Sequence, residues 1–401
     1  MNRRAFLQKS ALTTLGTMLI PSFLKVFETP LLAHKAMGEK ILVIIQLSGG
    51  NDGLNTVVPF QNDVYYAKRP RIAIPKTEVL RLNDELGLNP VMTGVHKLYE
   101  KGFLTILNQV GYPNPDRSHF RSMDIWQTAS ASNEYLSTGW LGRYLDATCG
   151  RDCKTAHEVV EIDDMLSLAL KGAKIKGLAT TDAEKIYAAT QSQSIQQLAQ
   201  LASQQQSEHT EASYLYKTLA ETVSSAQYLH SKVKTYTSTQ NYPNNEFAQQ
   251  LKSMAQLINA GVDTSVYYTS LAGFDTHVNQ KSQHERLLKT YSDAVEVFVK
   301  DLQASGKWQD VLVMTFSEFG RRVAQNASNG TDHGTANNVF LMGGKLNKAG
   351  VWNEVPNLTD LDEGDLKYKI DFRNIYATLL RKHLNADDKV ILGGEFATLD
   401  F

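Results

Sequence analysis

Apolar residues gather in short, separated runs, each closed by a change of character. Ile41 to Ile45 and Leu47 form an Ile- and Val-rich run that breaks abruptly into Ser48, Gly49, Gly50, Asn51, Asp52 and Gly53. A run with almost no polar alternation, closed by glycines, predicts a strand buried on both faces. Leu104 to Leu107, Val266 to Leu271, Val311 to Phe316 (VLVMTF) and Asn338 to Met342 read the same way, and Glu158 to Ile162 is a weaker strand candidate. Between them the period changes to that of a helix. Val91, Val95 and Leu98 mark one helix; Phe120, Met123 and Trp126 mark another, entered behind Pro113 and Pro115 with Ser118 at or next to its N-cap. Thr138 to Leu145, Gln283 to Leu302, and Phe372 to Leu384 behind the cap residue Asp371 complete the set. Thr56 to Pro90 is punctuated by prolines and reads as a long connection with short elements.

From about Asp182 to Ala260 the chain is different. Gln, Ser, Ala and Thr dominate, glycine is absent until Gly261, and Leu, Ala and Tyr recur at helical spacing, with a break at Asn241 to Asn245 (NYPNN). This predicts a helical cap or insertion beside the main sheet, or helices that simply cover one of its faces. Strands alternating with helices predict an α/β fold with a mostly parallel central sheet and helices on both faces. In such sheets ligands bind beyond the carboxyl ends of the strands, because helices cover everything else.

Acids and histidines stand at these ends. Asp52 follows the first strand, Asp275 and His277 lie in GFDTH after another, and Glu318 follows VLVMTF. Asp332 and His333 lie in the loop beyond. One acid after one strand is usually a turn or cap residue, but parallel packing gathers all of these on one edge. There, carboxylate oxygens and imidazole nitrogens can share a divalent ion, and the mixture suits zinc or manganese better than calcium. Asp332 either orients His333 or caps a turn. Of Arg321 and Arg322, one is a candidate for binding an anionic substrate, and a surface ion pair is the alternative. Ser48 is not in a G-x-S-x-G elbow and GGNDG is not G-x-G-x-x-G, which weighs against serine hydrolase and dinucleotide-binding chemistry.

Composition narrows the classes further. The chain has 401 residues, 42% of them hydrophobic and 21% charged, with a formal net charge of -1, so nothing in its charge selects nucleic acid or an anionic membrane as partner. No apolar stretch is long enough for a conventional spanning helix. Arg3-Arg4-Ala5-Phe6-Leu7, ahead of a mildly apolar segment from Ala11 to Leu24, matches a twin-arginine export signal, taken as residues 1–36. That predicts a periplasmic or secreted protein whose partner during export is the twin-arginine translocase. Cys149 and Cys153 (CGRDC) are the two cysteines of the chain, and in an oxidising compartment they read as a local disulfide.

Taken together, the twin-arginine start, LSGGNDGLNT, RSHF, GFDTH, SEFGR and DHGTAN resemble the DUF1501 family, grouped with the alkaline phosphatase-like superfamily, over nearly the whole chain. The resemblance implies one such domain over 37–401, with the helical insertion at about 182–260. It implies Asp52, Asp275, His277, Glu318 and His333 as ligands of one or two divalent ions. It also implies Ser118 as nucleophile, unless that residue is only an N-cap, with Arg117 or Arg121 stabilising a transferred oxyanion. The expected activity is metal-dependent hydrolysis of a phosphate or sulfate ester, on a small molecule or glycan; the alternative is a non-catalytic envelope binding or assembly protein. Glu318-Phe319 stands where the superfamily commonly has Asp-His, which bears on a second ion. Pro113 stands where a formylglycine sulfatase carries its convertible Cys or Ser, which disfavours that class.

Overall fold

The computed structural model describes residues 40–148, 156–204 and 211–401. The twin-arginine segment and both cysteines lie outside these. Nine strands form the main sheet: β1 (Ile41–Ser48), β2 (Leu104–Gly111), β3 (Val159–Glu161), β4 (Leu178–Ala179), β5 (Val266–Ala272), β6 (Val311–Phe316), β7 (Asn337–Gly343), β8 (Gly350–Val351) and β9 (Ile370–Asp371). Their order is β8-β2-β7-β6-β1-β5-β3-β4, with β9 also pairing β2. β1 lies at the centre, parallel to β5 with Val43 opposite Tyr267, and parallel to β6 with Val43 opposite Val313. β7 alone among them runs the other way, antiparallel to both β2 and β6. The sheet is therefore mixed but mostly parallel, with helices on both sides, as the alternation of strands and helices along the chain predicts.

The two-sided apolar character of β1 explains the layering. Val43, Ile45 and Leu47 face α1 (Thr93–Glu100), a helix at Glu246–Asn259 and a long helix at Gln280–Ala304, packing in one core with Val95, Leu251, Met254, Leu288 and Val295. Leu42 and Ile44 face the opposite layer and pack with Ile125 and Trp126 of α2 (His119–Thr128), Leu141 of α3 (Trp140–Thr148) and Ile375 of Phe372–Thr378. Complete burial of a Leu or Ile side chain contributes on the order of 1.5–3 kcal/mol, so a strand buried on both faces anchors both layers.

Residues 183–259 contain four helices, Ala183–Thr190, Gln193–Gln204, Glu211–Val233 and Glu246–Asn259; the NYPNN break falls between the last two. The long connection after β1 holds a small three-stranded sheet, Val57–Val58, Leu80–Arg81 and Gly87–Leu88. Asp371 caps its helix by accepting from the Arg373 N–H, but the helix is shorter than its periodicity predicts and passes into a π-type turn at Leu379–His383. Among the described residues no helix is long and apolar enough to cross a membrane.

Candidate metal centre

Four chain segments deliver side chains to one edge of the sheet. β5 and β6 run parallel to β1, so Asp275 and His277 emerge beside the glycine turn of β1, and Glu318 emerges on its other side. The turn must be glycine. Gly49 has φ +117°, and a Cβ there would stand 2.5 Å from the Asp275 backbone nitrogen. Because β7 runs in the opposite direction, its amino end lies at this same edge, and His333 arrives from the loop that enters it. Gly334 N–H donates to the Gly320 carbonyl and Gly320 N–H to the Thr335 carbonyl, which ties that loop to the segment after β6. His119, the first residue of α2, comes from the loop leaving β2.

Three imidazoles converge on a single oxygen. Oδ1 of Asp275 lies 3.3 Å from His119 Nε2, 3.0 Å from His277 Nε2 and 3.3 Å from His333 Nε2, and the last two nitrogens are 2.9 Å apart. Each ring is held from behind. His119 Nδ1 donates to Glu318 Oε1 at 2.8 Å, and His333 Nδ1 donates to the Arg117 carbonyl at 2.7 Å. His277 Nδ1 faces Asp332 Oδ1 at 3.6 Å. Carboxylate and carbonyl oxygens accept hydrogen bonds, so His119 and His333 carry their protons on Nδ1 and turn the Nε2 lone pairs inward. Anchoring the far nitrogen in this way is the usual support of a metal-binding histidine.

The donor set suits a divalent ion. The edge between two ligands of a tetrahedral zinc site, with bonds near 2.0–2.1 Å, is about 3.3 Å. The separations here, 2.9 to 3.3 Å, fall at or slightly inside that value. His119 Nε2 is buried and has no hydrogen-bond partner, a costly state for a polar atom that an ion would relieve. His119, Asp275 and His333 each offer one ligand atom within 4.8 Å of the others. Nitrogen with one carboxylate favours zinc or manganese over calcium.

Electrostatics treats the members of the cluster differently. Burial raises the Asp275 carboxyl, but the hydrogen bond and charge of Arg321 outweigh it and hold the group below the usual carboxylate range. Glu318 raises His119 by accepting its Nδ1 proton, whereas burial lowers His333.

Several predicted residues have other partners. Asp52 is fully buried and spends Oδ2 on Arg69 Nη1 at 2.6 Å and on Gln280, so it lies in an ion pair outside the imidazole cluster. Glu318 is 1% exposed; Oε1 accepts from Gly49 N–H at 2.8 Å as well as from His119, and Ser317 Oγ lies 3.2 Å from Oε2. It supports a ligand and is not placed as one. Asp332 faces His277, whereas the sequence suggested His333. Ser118 occupies the N-cap position with an exposed side chain that makes no cap hydrogen bond; its N–H donates to Asp116 Oδ1 at 2.7 Å.

The three predicted substrate-binding arginines are all engaged. Arg321 is 2% exposed and donates to the carbonyls of Gly49, Gly50, Phe274 and Thr331 and to Asp275 Oδ1. It staples three loops together. Arg121 donates to the carbonyls of Ala131, Ser132 and Glu134, with its guanidinium 3.9 Å from the Tyr135 ring centroid. Arg117 pairs with Asp365 and Glu363.

For His119 the sequence leaves a packing or a ligand role open, because it adjoins Ser118 and adjacent residues on a helix point apart. The available signal was position: it follows a strand whose carboxyl end lies at the same edge as Asp275 and Glu318.

A mixed α/β sheet with a His- and Asp-lined cluster at its strand ends defines the class: an α/β protein with a candidate metal site at the carboxyl edge of its sheet. The family model described as protein of unknown function (DUF1501) matches residues 39–395, and the chain belongs to that family. No curated protein matches it. Among solved structures it is similar to the PsFucS1 sulfatase of Pseudoalteromonas sp., at 12% identity over 100% of this chain and 75% of that one, TM-score 0.41. It is also similar to the lipoteichoic acid synthase LtaP of Listeria monocytogenes, at 9% identity over 80% and 69%, TM-score 0.35. The C-terminal periplasmic domain of EcEptC from Escherichia coli, in complex with Zn, matches at 10% identity over 76% and 73%, TM-score 0.35.

Proposed function

We propose that the chain is an exported, metal-dependent hydrolase of a phosphate or sulfate ester, with a catalytic domain over 37–401 that carries a helical insertion at about 182–260. The observation that carries this reading is the convergence of His119, His277 and His333 Nε2 on Asp275 Oδ1, with His119 and His333 anchored at Nδ1. His119, Asp275 and His333 would hold the ion with His277 beside them, and Glu318 and Asp332 would set the orientations of His119 and His277. A zinc or manganese ion there supplies Lewis acidity and a hydroxide-forming site at neutral pH. In the net reaction the bond from phosphorus or sulfur to the bridging oxygen breaks, a bond to the oxygen of water forms, and a proton reaches the departing alcohol.

Ser118, one residue before His119 and one after the carbonyl that anchors His333, is the candidate nucleophile for a two-step version. The Arg3-Arg4 signal supports export through the twin-arginine translocase to the periplasm or beyond. The test is elemental analysis of the folded protein together with turnover on an ester panel. About one equivalent of zinc or manganese is expected, with ion and turnover both lost in His119→Ala and Asp275→Ala and on chelation. Folded protein that takes up no divalent metal would refute the reading.

A further inference from the structure

The charges around the cluster constrain what it accepts. Asp365 and Glu363 offset Arg117, and Arg322 Nε leans on Asp365 Oδ1 at 3.5 Å. Among the groups in contact with the imidazoles there remain three carboxylates, Asp275, Glu318 and Asp332, against the one guanidinium of Arg321, whose donors are spent on carbonyls and on Asp275 itself. Among the described residues no lysine pairs with any of the three acids. Two formal negative charges remain. One divalent ion cancels them and leaves nothing over. At the nearby N-terminus of α2, the Ser118 N–H is already taken by the Asp116 carboxylate.

We infer that the site selects an ester carrying a single negative charge, such as a sulfate monoester or a phosphodiester, and discriminates against a doubly charged phosphate monoester. The inference rests on the hydrolase reading. A dianion brings a second charge into a site that is neutral once the ion is bound, and the charge of Arg322, the nearest guanidinium besides Arg321 and Arg117, is already offset by Asp365. Asp275 and Asp332 are 49% and 56% exposed, so the like-charge contact is partly screened and discriminates most at low ionic strength. Arg321, the one fully buried cation of the cluster, positions ligand loops and does not touch substrate.

The experiment uses the full folded chain loaded with zinc, at pH 8. Turnover of 4-nitrophenyl phosphate, methyl 4-nitrophenyl phosphate and 4-nitrophenyl sulfate is compared, each as kcat/KM relative to the uncatalysed rate. Binding of methyl phosphate and dimethyl phosphate is measured by calorimetry. At least about a tenfold advantage for one of the singly charged esters is expected, and which of them is turned over separates phosphodiester from sulfate. Dimethyl phosphate should also bind more tightly than methyl phosphate. Equal or better turnover of the monoester, or tighter binding of methyl phosphate, would overturn the inference. Absence of turnover on all three would instead remove the hydrolase reading, and the binding comparison would still decide the charge preference.

Discussion

His119 Nδ1 and Glu318 Oε1 lie 2.8 Å apart although 199 residues separate them in the chain. The contact joins the start of α2 to the end of β6 and turns the other imidazole nitrogen toward Asp275. Glu318 is itself fixed by the Gly49 N–H, so the glycine turn of β1 reaches the cluster through two hydrogen bonds and supplies no ligand of its own.

Glu318→Ala should therefore weaken metal binding without abolishing it. Loss of such an orienting partner typically costs roughly 10–100-fold in affinity. Isothermal titration of the metal-free protein with zinc gives the constant, and Glu318→Gln, which keeps an acceptor at Oε1, should recover part of it. An unchanged affinity in Glu318→Ala would show that the contact does not position the ring.

Asp52→Ala separates the two roles considered for that residue. Burial raises the Asp52 carboxyl, but the charge and hydrogen bond of Arg69 outweigh it, so the group sits below its usual value of 3.8. Removing it strands a fully buried guanidinium, which costs about 3–5 kcal/mol. Urea denaturation should show that loss, while zinc content per folded molecule stays at the wild-type level. The pair's contribution is complete above pH 3.8 and disappears as the pH falls below it toward the lowered folded value.

His284 governs a different window. Burial pushes it down from 6.5 to about 4, and its Nε2 lies 2.8 Å from Asn51 Oδ1 in the turn after β1. The unfolded chain binds the proton more readily, so this contribution is complete above pH 6.5 and is lost as the pH falls toward 4. The slope is up to about 1.4 kcal/mol per pH unit. His284→Gln should flatten the stability profile between these values, as measured by denaturant midpoints across the range.

The legible parts of the molecule were those set by local pattern. Residues 41–48 could be read as a doubly buried strand because their apolar character has no alternation, and 311–316 for the same reason. The strand direction of β7 was not legible. Its residues satisfy a buried strand equally well either way, and only pairing with β2 and β6 selects the antiparallel arrangement. That choice brings His333 to the edge with Asp275.

Asp275, His277 and His333 could be singled out because acids and histidines recur at predicted strand ends. Asp52 and Glu318 fitted the same rule yet have different neighbours. A carboxylate at a strand end can meet a cation, a backbone N–H or an imidazole, and the sequence does not say which. Arg69, 17 residues beyond Asp52, decides one case; Gly49 and His119 decide the other.

By itself, then, the sequence determined the alternation of buried strands and helices, the edge at which polar chemistry would collect, and the residue types gathered there. Tertiary structure decided which of those side chains share one point, because that depends on strand direction and on contacts between residues up to hundreds of positions apart. The turn Ser48 to Gly53 contains both answers. Gly49 and Gly50 follow from the local need for φ above zero, whereas the burial of Asp52 against Arg69 follows only from packing.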